Sequence, residues 1–277
     1  MKKIFQKKIF WYWGCIVSML IIMTFLVPPF QKPDEPLHFK RAFALAMGQV
    51  TCRHNQNHER GFYTFPKSVS TFPDAMMVNT IIMKPEGKFP LALYRGTYPV
   101  NSSETVDLLY NCTLPFTGYI PHALGILLSM PLNNVLISFY AARIFGALFF
   151  LTTLYFCFRF ISKRYRFVLL FCSVLPMVLQ QVTAVSYDCV AIALGFILFA
   201  LFTGYVEQKT VRIRDVLIFY GVLLLFLFTK PGFYLFSLLL IYLLQRVPMS
   251  LTKKMLLTLL FMAGVFGIAL YSLTLPL

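Results

Sequence analysis

Long apolar runs constrain this chain more than any other feature. Seven stretches, 9–28, 134–160, 167–185, 189–206, 216–229, 232–247 and 255–275, carry few charges. Several reach the roughly 20 residues that take an α-helix across a bilayer. Only 13% of the 277 residues are charged and 58% are hydrophobic, about half the charge of an ordinary soluble domain. Thirty phenylalanines among mostly aliphatic residues fit lipid-facing helices. The runs predict an all-α integral membrane protein, a single membrane domain over 1–277. They give about seven transmembrane helices, the fifth and sixth short and tightly joined: the first over 9–28 and six more over 134–275, with a long loop at 30–133 between them.

The net charge of +15 raises the question of nucleic acid, but the basic residues are not gathered on one face as such a footprint requires. No nucleic-acid partner is expected. The lysines and arginines sit instead at the ends of the apolar runs. Lys2, Lys3, Lys7 and Lys8 precede the first run; Arg159, Lys163, Arg164 and Arg166 follow the second; Lys209, Arg212 and Arg214 follow the fourth; Arg246, Lys253 and Lys254 follow the sixth. These connections hold fourteen of the 25 basic residues against two acids, Glu207 and Asp215. The positive-inside rule makes them cytoplasmic, together with the amino terminus. The first run is longer than a signal-peptide core and no small-x-small cleavage site follows it, so it is expected to remain as an anchor. No P-loop, dinucleotide glycine pattern, Cys-x-x-Cys or His-Glu-x-x-His occurs.

The alternate connections then face outward: the loop 30–133, the turn at Ser186-Tyr187-Asp188 and the turn at Lys230-Pro231. Eight of the ten acids and all four histidines (His38, His54, His58, His122) lie on that side, so any chemistry is expected there. A connection of about a hundred residues usually carries function. Pro36 suits a first helical position, Phe39, Phe43, Met47 and Val50 give a stripe for lipid or a neighbouring helix, and Gly48 is a natural stop. The stretch 60–120, rich in proline, reads as irregular loop or short strands, and 121–130 as a further surface helix. Cys52 and Cys112, the two cysteines of the loop, are expected to form a disulfide in that compartment. The alternative is two free thiols in a chain of inverted topology. Cys15, Cys157, Cys172 and Cys189 read as inert small apolar residues.

Charged groups concentrate just past the first run, in Pro33-Asp34-Glu35-Pro36-Leu37-His38-Phe39-Lys40-Arg41. Spacings of three and four put Asp34, Glu35, His38 and Arg41 near one helical face. A carboxylate beside a histidine or cation serves as a general base, and Asp34 with His38 would also suit a divalent metal. The competing reading is that the acids only cap the helix and complement its dipole.

The run from Pro29 to Ala42, Pro-x-x-x-Pro-Asp-Glu-x-x-His-Phe-x-Arg-Ala, resembles the signature of a bacterial membrane family, the domain-of-unknown-function 2142 family. Tyr119-Ile120-Pro121-His122-Ala123-Leu124-Gly125, Ser186-Tyr187-Asp188 and Thr229-Lys230-Pro231 are similar to further parts of that pattern. The resemblance covers residues 28 to about 232. It implies a bacterial plasma-membrane protein related to the C-type membrane glycosyltransferases, in which an acidic motif of the first outer loop serves catalysis and the donor is a polyprenyl phosphate sugar. Members of the family are longer, so the resemblance implies a short or truncated member.

On that footing Asp34 is expected as the base, with Glu35 as the competing choice, and His38 orients the base or binds a metal. Arg41, Lys230 and Arg143 are candidates to hold the departing phosphate. For Arg143 the alternative is snorkelling or pairing with a buried polar group, and for Lys230 interfacial anchoring. Asp188 is either a second acid or the cap of its helix. Gln180 and Gln181 are candidates to line the same cavity. The expected function is sugar transfer from the lipid carrier to an extracytoplasmic glycan or lipid-linked acceptor in the making of cell-surface polysaccharide. The alternative is a non-enzymatic transporter, flippase or assembly partner in polysaccharide export, and an inactive remnant is a third. Transporters place polar groups at the bilayer midplane, whereas these acids sit at the surface, which favours the enzyme.

Overall fold

A computed structural model describes residues 2–55, 58–76, 91–100, 103–109 and 115–274. Helix α1 (Lys2–Leu26) ends ahead of Val27-Pro28-Pro29, because proline lacks the N–H that the next turn needs and disfavours a helical residue before it. Ile16 and Leu20 are buried, while Ile21, Ile22, Phe25 and Leu26 are exposed; within residues 11–26 a narrow stripe of α1 faces the protein. Helix α2 (Glu35–Ala46) has Pro36 in its first turn and stops where Gly48 takes a φ of +83°. There the Gly48 and Gln49 N–H groups donate to the Leu45 and Ala44 carbonyls, as a glycine terminus allows. Phe39 and Phe43 are buried, but Met47 and Val50 are 42% and 43% exposed. The expected four-residue stripe is therefore cut short by the end of the helix.

The chain next forms a three-stranded antiparallel sheet, β1 (Arg53–Asn55), β2 (His58–Pro66) and β3 (Thr105–Leu109), in the order β1-β2-β3. The central strand pairs Phe62 with Leu109 and Phe65 with Val106. Helix α3 (Lys67–Ala75) follows β2. Val69, Phe72 and Met76 share a core with Phe30, Phe39, Phe43 and Phe139, so this lobe packs on α2 rather than standing apart.

Helix α4 (Ile120–Ser129) is not the surface helix expected from sequence. It lies against α5 (Val135–Phe160) with Pro121, His122, Ala123, Gly125 and Ile126 buried. Gly125 makes this approach possible, since a Cβ there would fall 2.4 Å from the Ala141 carbonyl oxygen. The outward side of α4 is apolar, with Leu124, Leu127 and Leu128 48%, 50% and 66% exposed. Asn134 caps α5 by accepting the Leu136 and Ile137 N–H groups.

The third apolar run is broken. Helices α6 (Arg166–Ser173) and α7 (Pro176–Val182), the former entered through a 3-10 turn at Lys163–Tyr165, meet at 73°. Pro176 forces the elbow: its ring excludes helical geometry from Leu175, whose ψ is 133°. Helices α8 (Tyr187–Val206), α9 (Ile213–Thr229), α10 (Ser237–Gln245) and α11 (Leu251–Thr274) complete the described chain. Among the described residues three helices (α5, α8 and most of α11) are long and apolar enough to cross a membrane, or four if the bent pair counts as one. The fifth and sixth runs give shorter helices, α9 of 17 residues and α10 of 9.

The connections segregate to two ends. At one, Arg246 donates to the Val206 and Gln208 carbonyls and Ser162 to Glu207, so the basic connections meet. At the other, Lys230 pairs with Asp188 and Thr229 contacts Thr117, which brings the Asp188 and Lys230 turns to the returning end of the long loop.

Candidate functional site

The acid pair after α1 divides its labour. Glu35 is fully buried and each of its oxygens accepts twice. Oε1 takes Arg143 Nε at 2.8 Å and the Val185 N–H at 3.0 Å; Oε2 takes Arg143 Nη2 at 2.6 Å and the Phe30 N–H at 3.1 Å. Arg143 is equally spent. Nη1 donates to the Thr24 and Val27 carbonyls at 3.0 and 2.6 Å, and Nη2 to the Pro28 carbonyl at 3.1 Å. All five guanidinium N–H donors are thus used, and the group lies 4.6 Å from the Phe139 ring centre. This knot ties α1, α2, α5 and the α7–α8 turn together. Glu35 thus has no lone pair left for a substrate proton, and Arg143 no donor left for a phosphate; of the two readings raised for Arg143, the geometry shows the pairing with a buried polar group.

Arg41 is also structural. Its Nη1 and Nη2 donate to the Gln49 and Val50 carbonyls at 3.1 and 2.7 Å, and its guanidinium lies 4.7 Å from the Tyr63 ring and 5.8 Å from that of Tyr119. It holds the chain leaving α2, and its side chain is buried.

Asp34 is different. It occupies the residue before α2 with a φ of 55°, its side chain makes no capping hydrogen bond, and it is exposed. The left-handed conformation is uncommon outside glycine, asparagine and aspartate. One turn on, the His38 imidazole Nδ1 lies 2.7 Å from the Tyr119 hydroxyl, and its ring meets Tyr187 edge-on at 5.1 Å. Burial lowers the His38 pKa from its usual value, and the carboxylates of Asp188 and Asp34 partly offset that.

Across from α2, Asp188 in the first turn of α8 forms an ion pair with Lys230 at the end of α9. The cap of α8 is Ser186, whose hydroxyl accepts the Asp188 N–H, so Asp188 is not the cap. Lys230 Nζ sits 5.3 Å from the Tyr187 ring centre, and the fields of Asp34, Asp188 and Lys230 overlap at that ring. Asp34, His38, Tyr187, Asp188 and Lys230 therefore form one cluster. Asp188 and Lys230, with Gln181, also line a cavity of about 620 Å³.

Among the described residues no three His, Cys, Asp or Glu side chains come together to hold a metal. Asp34 and His38 offer two ligands at most, and one His38 nitrogen is engaged by Tyr119. No step is therefore derived through a divalent ion. Cys52 is disulfide-bonded; Cys112, its expected partner, lies outside the described residues. Cys15, Cys157, Cys172 and Cys189 are free thiols.

A family model described as "Predicted membrane protein (DUF2142)" matches residues 17–275. The chain belongs to the DUF2142 family. No curated protein matches it, and no solved structure does. Within this DUF2142 chain, the sequence candidates fall into two sets. Gln181, Asp188 and Lys230 line the cavity, and Asp34 and His38 lie within electrostatic reach of its charged pair, while Glu35, Arg41 and Arg143 are engaged by the framework.

Three residues of consequence were not singled out as site residues by sequence reasoning. Tyr119 and Tyr187 entered only as parts of motifs. Lys32, between α1 and α2, is 1% exposed and donates to the Thr183 hydroxyl at 2.7 Å. The available signal was the family pattern for the tyrosines; Lys32 had none.

Proposed function

We propose that this chain is a bacterial membrane glycosyltransferase that moves a sugar from a polyprenyl phosphate to an acceptor hydroxyl at the outer face of the plasma membrane. In this reading the chain crosses the membrane seven times, with α1, the bent α6–α7 pair, α9 and α10 each counted as spans. The basic connections and the amino terminus are cytoplasmic.

One observation carries the reading: of two adjacent acids, Glu35 is locked by four hydrogen bonds while Asp34 is exposed, makes no capping hydrogen bond, and acts electrostatically on His38 and Tyr187. A general base needs an accessible lone pair, and a departing phosphate needs a cation. Asp34 takes the acceptor hydroxyl proton as that oxygen attacks the anomeric carbon. The bond from that carbon to the phosphate oxygen breaks, the electron pair leaves with the polyprenyl phosphate, and Lys230 meets the resulting charge. His38, disfavoured as a cation by burial and held by Tyr119, supports Asp34 as a positioning residue.

The test is sugar transfer in proteoliposomes supplied with a polyprenyl phosphate sugar and an acceptor glycan. Asp34→Asn should lower turnover by about 10²–10⁴-fold, the range for loss of a general base. Full transfer by a normally inserted Asp34→Asn overturns the reading. The broken α6–α7 span favours one other reading, a transporter or export partner for the same lipid, since discontinuous helices mark transport sites. Binding of the lipid-linked sugar with movement across the bilayer but no turnover distinguishes it.

A further inference from the structure

We propose that the cavity beneath the Lys230–Asp188 pair is a hydrocarbon slot that holds the chain of an isoprenoid phosphate, with the phosphate at Lys230. This deepens the transfer reading and rests on it for the identity of the lipid; the slot itself is argued from shape and polarity.

The polarity of the lining is graded. Gln181, Asp188 and Lys230 stand at one end, and beyond the first turn of α8 the lining is apolar, through Ala191, Ile192, Phe196 and Phe199. From Asp188 to Phe199 is eleven residues of helix, about 16 Å at 1.5 Å per residue. That is roughly half of a 30 Å hydrocarbon core. A soluble substrate has no use for such a depth of apolar wall, whereas an anionic lipid matches it group for group. The volume, about 620 Å³, sits within the roughly 300–1,000 Å³ of small-molecule sites.

The slot also opens sideways. The elbow at Pro176 turns α7 away from α6 by 73°, and Met177 and Phe233, both in the cavity lining, are 69% and 44% exposed. A chain can enter from the bilayer without leaving hydrocarbon. Gly195 lies in the wall, and a Cβ there would meet nothing nearer than Phe226 Cε2 at 4.0 Å. Helix packing therefore does not demand glycine at this position; the missing side chain adds space to the cavity. At the head, the Lys230 ammonium has three N–H donors and Asp188 takes one, leaving two for phosphate oxygens. A donor seated this way presents its sugar toward Tyr187 and Asp34.

The test uses the full chain in nanodiscs with radiolabelled farnesyl phosphate as probe. Wild type should bind it, inorganic phosphate should not compete, and phosphatidylglycerol should compete poorly. Gly195→Phe should weaken binding by about tenfold or more with the protein still inserted; Ile192→Trp provides a second way to fill the slot should the first variant misfold. Lys230→Gln should weaken farnesyl phosphate binding while leaving farnesol binding unchanged. Wild-type affinity in both filling variants, or equal competition by phosphatidylglycerol, overturns the slot assignment. Asp34→Asn should bind as wild type and fail to transfer. If binding is lost on filling the slot yet wild type never transfers sugar, the slot stands and the transferase reading falls.

Discussion

Arg143 grips Glu35 through two parallel hydrogen bonds, Nε to Oε1 at 2.8 Å and Nη2 to Oε2 at 2.6 Å, across 108 residues of sequence. Neither residue is tolerable alone: a lone guanidinium on α5 or a lone carboxylate in the same core would leave a buried charge uncompensated. Glu35→Gln should therefore destabilise the protein by about 3–5 kcal/mol. Glu35→Gln combined with Arg143→Met should recover a large part of that loss. Thermal unfolding of the purified protein in detergent measures both, and strictly additive losses would show that the two side chains act independently.

Asp34→Asn should leave stability within about 0.5 kcal/mol of wild type, as expected for an exposed side chain with no structural bond, while abolishing transfer. Unfolding and turnover measured on one preparation check this. A variant that loses both would return Asp34 to the framework beside Glu35.

Lys32 imposes a pH dependence. Its ammonium is pushed down to about 7, chiefly by burial and further by Arg143, with Glu35 pulling the other way. In the unfolded chain the group titrates near ~10.4. Between those values the folded protein binds fewer protons than the unfolded one, so this residue makes stability rise as pH increases from about 7 toward 10. Below about 7 both states are charged and the folded state carries the full cost of burying the cation. Lys32→Met should be more stable than wild type at pH 6.5, and the advantage should shrink as pH rises. A constant difference in melting temperature across that range would rule the account out.

Gly146→Val should be strongly disruptive although it adds only apolar atoms. A Cβ at this position would lie 2.4 Å from His122 Cε1, and His122 spans the Ala142 and Ser186 carbonyls with its two ring nitrogens at 2.9 and 3.0 Å. Overpacking of this kind costs about 1–3 kcal/mol, and here it would also unseat the start of α8. The expected result is a lowered melting temperature together with weaker farnesyl phosphate binding.

Much of the scaffold was legible because its signals are local. Apolar length gave the long helices α5, α8 and α11, Gly48 the end of α2, and the charge pattern the two groups of connections that meet at opposite ends. The roles of the charged residues were harder, because each depends on a partner far away in sequence. Spacing alone put Glu35 and Arg41 on a face with Asp34 and His38, yet the partners of Glu35 are Phe30, Arg143 and Val185. A buried polar partner for Arg143 is expected from the cost of its charge, but that the partner is Glu35, 108 residues away, has no local signal. The elbow at Pro176 was hidden inside an otherwise unbroken apolar run, and with it the cleft that the elbow opens. The packing of α4 on α5 was not legible because both faces of the helix are apolar, so its sequence does not say which side is covered.

The His38–Tyr119 contact joins the two ends of a long excursion. The chain departs just after Arg41 fastens Gln49 and Val50, and it returns at Tyr119 beside the residue it left. Closing a longer excursion between fixed ends costs little extra entropy. The ends of the excursion are thus pinned independently of its length, while Val69, Phe72 and Met76 tie its middle to the Phe39 core, so length can change at its turns without moving Asp34 or Lys230.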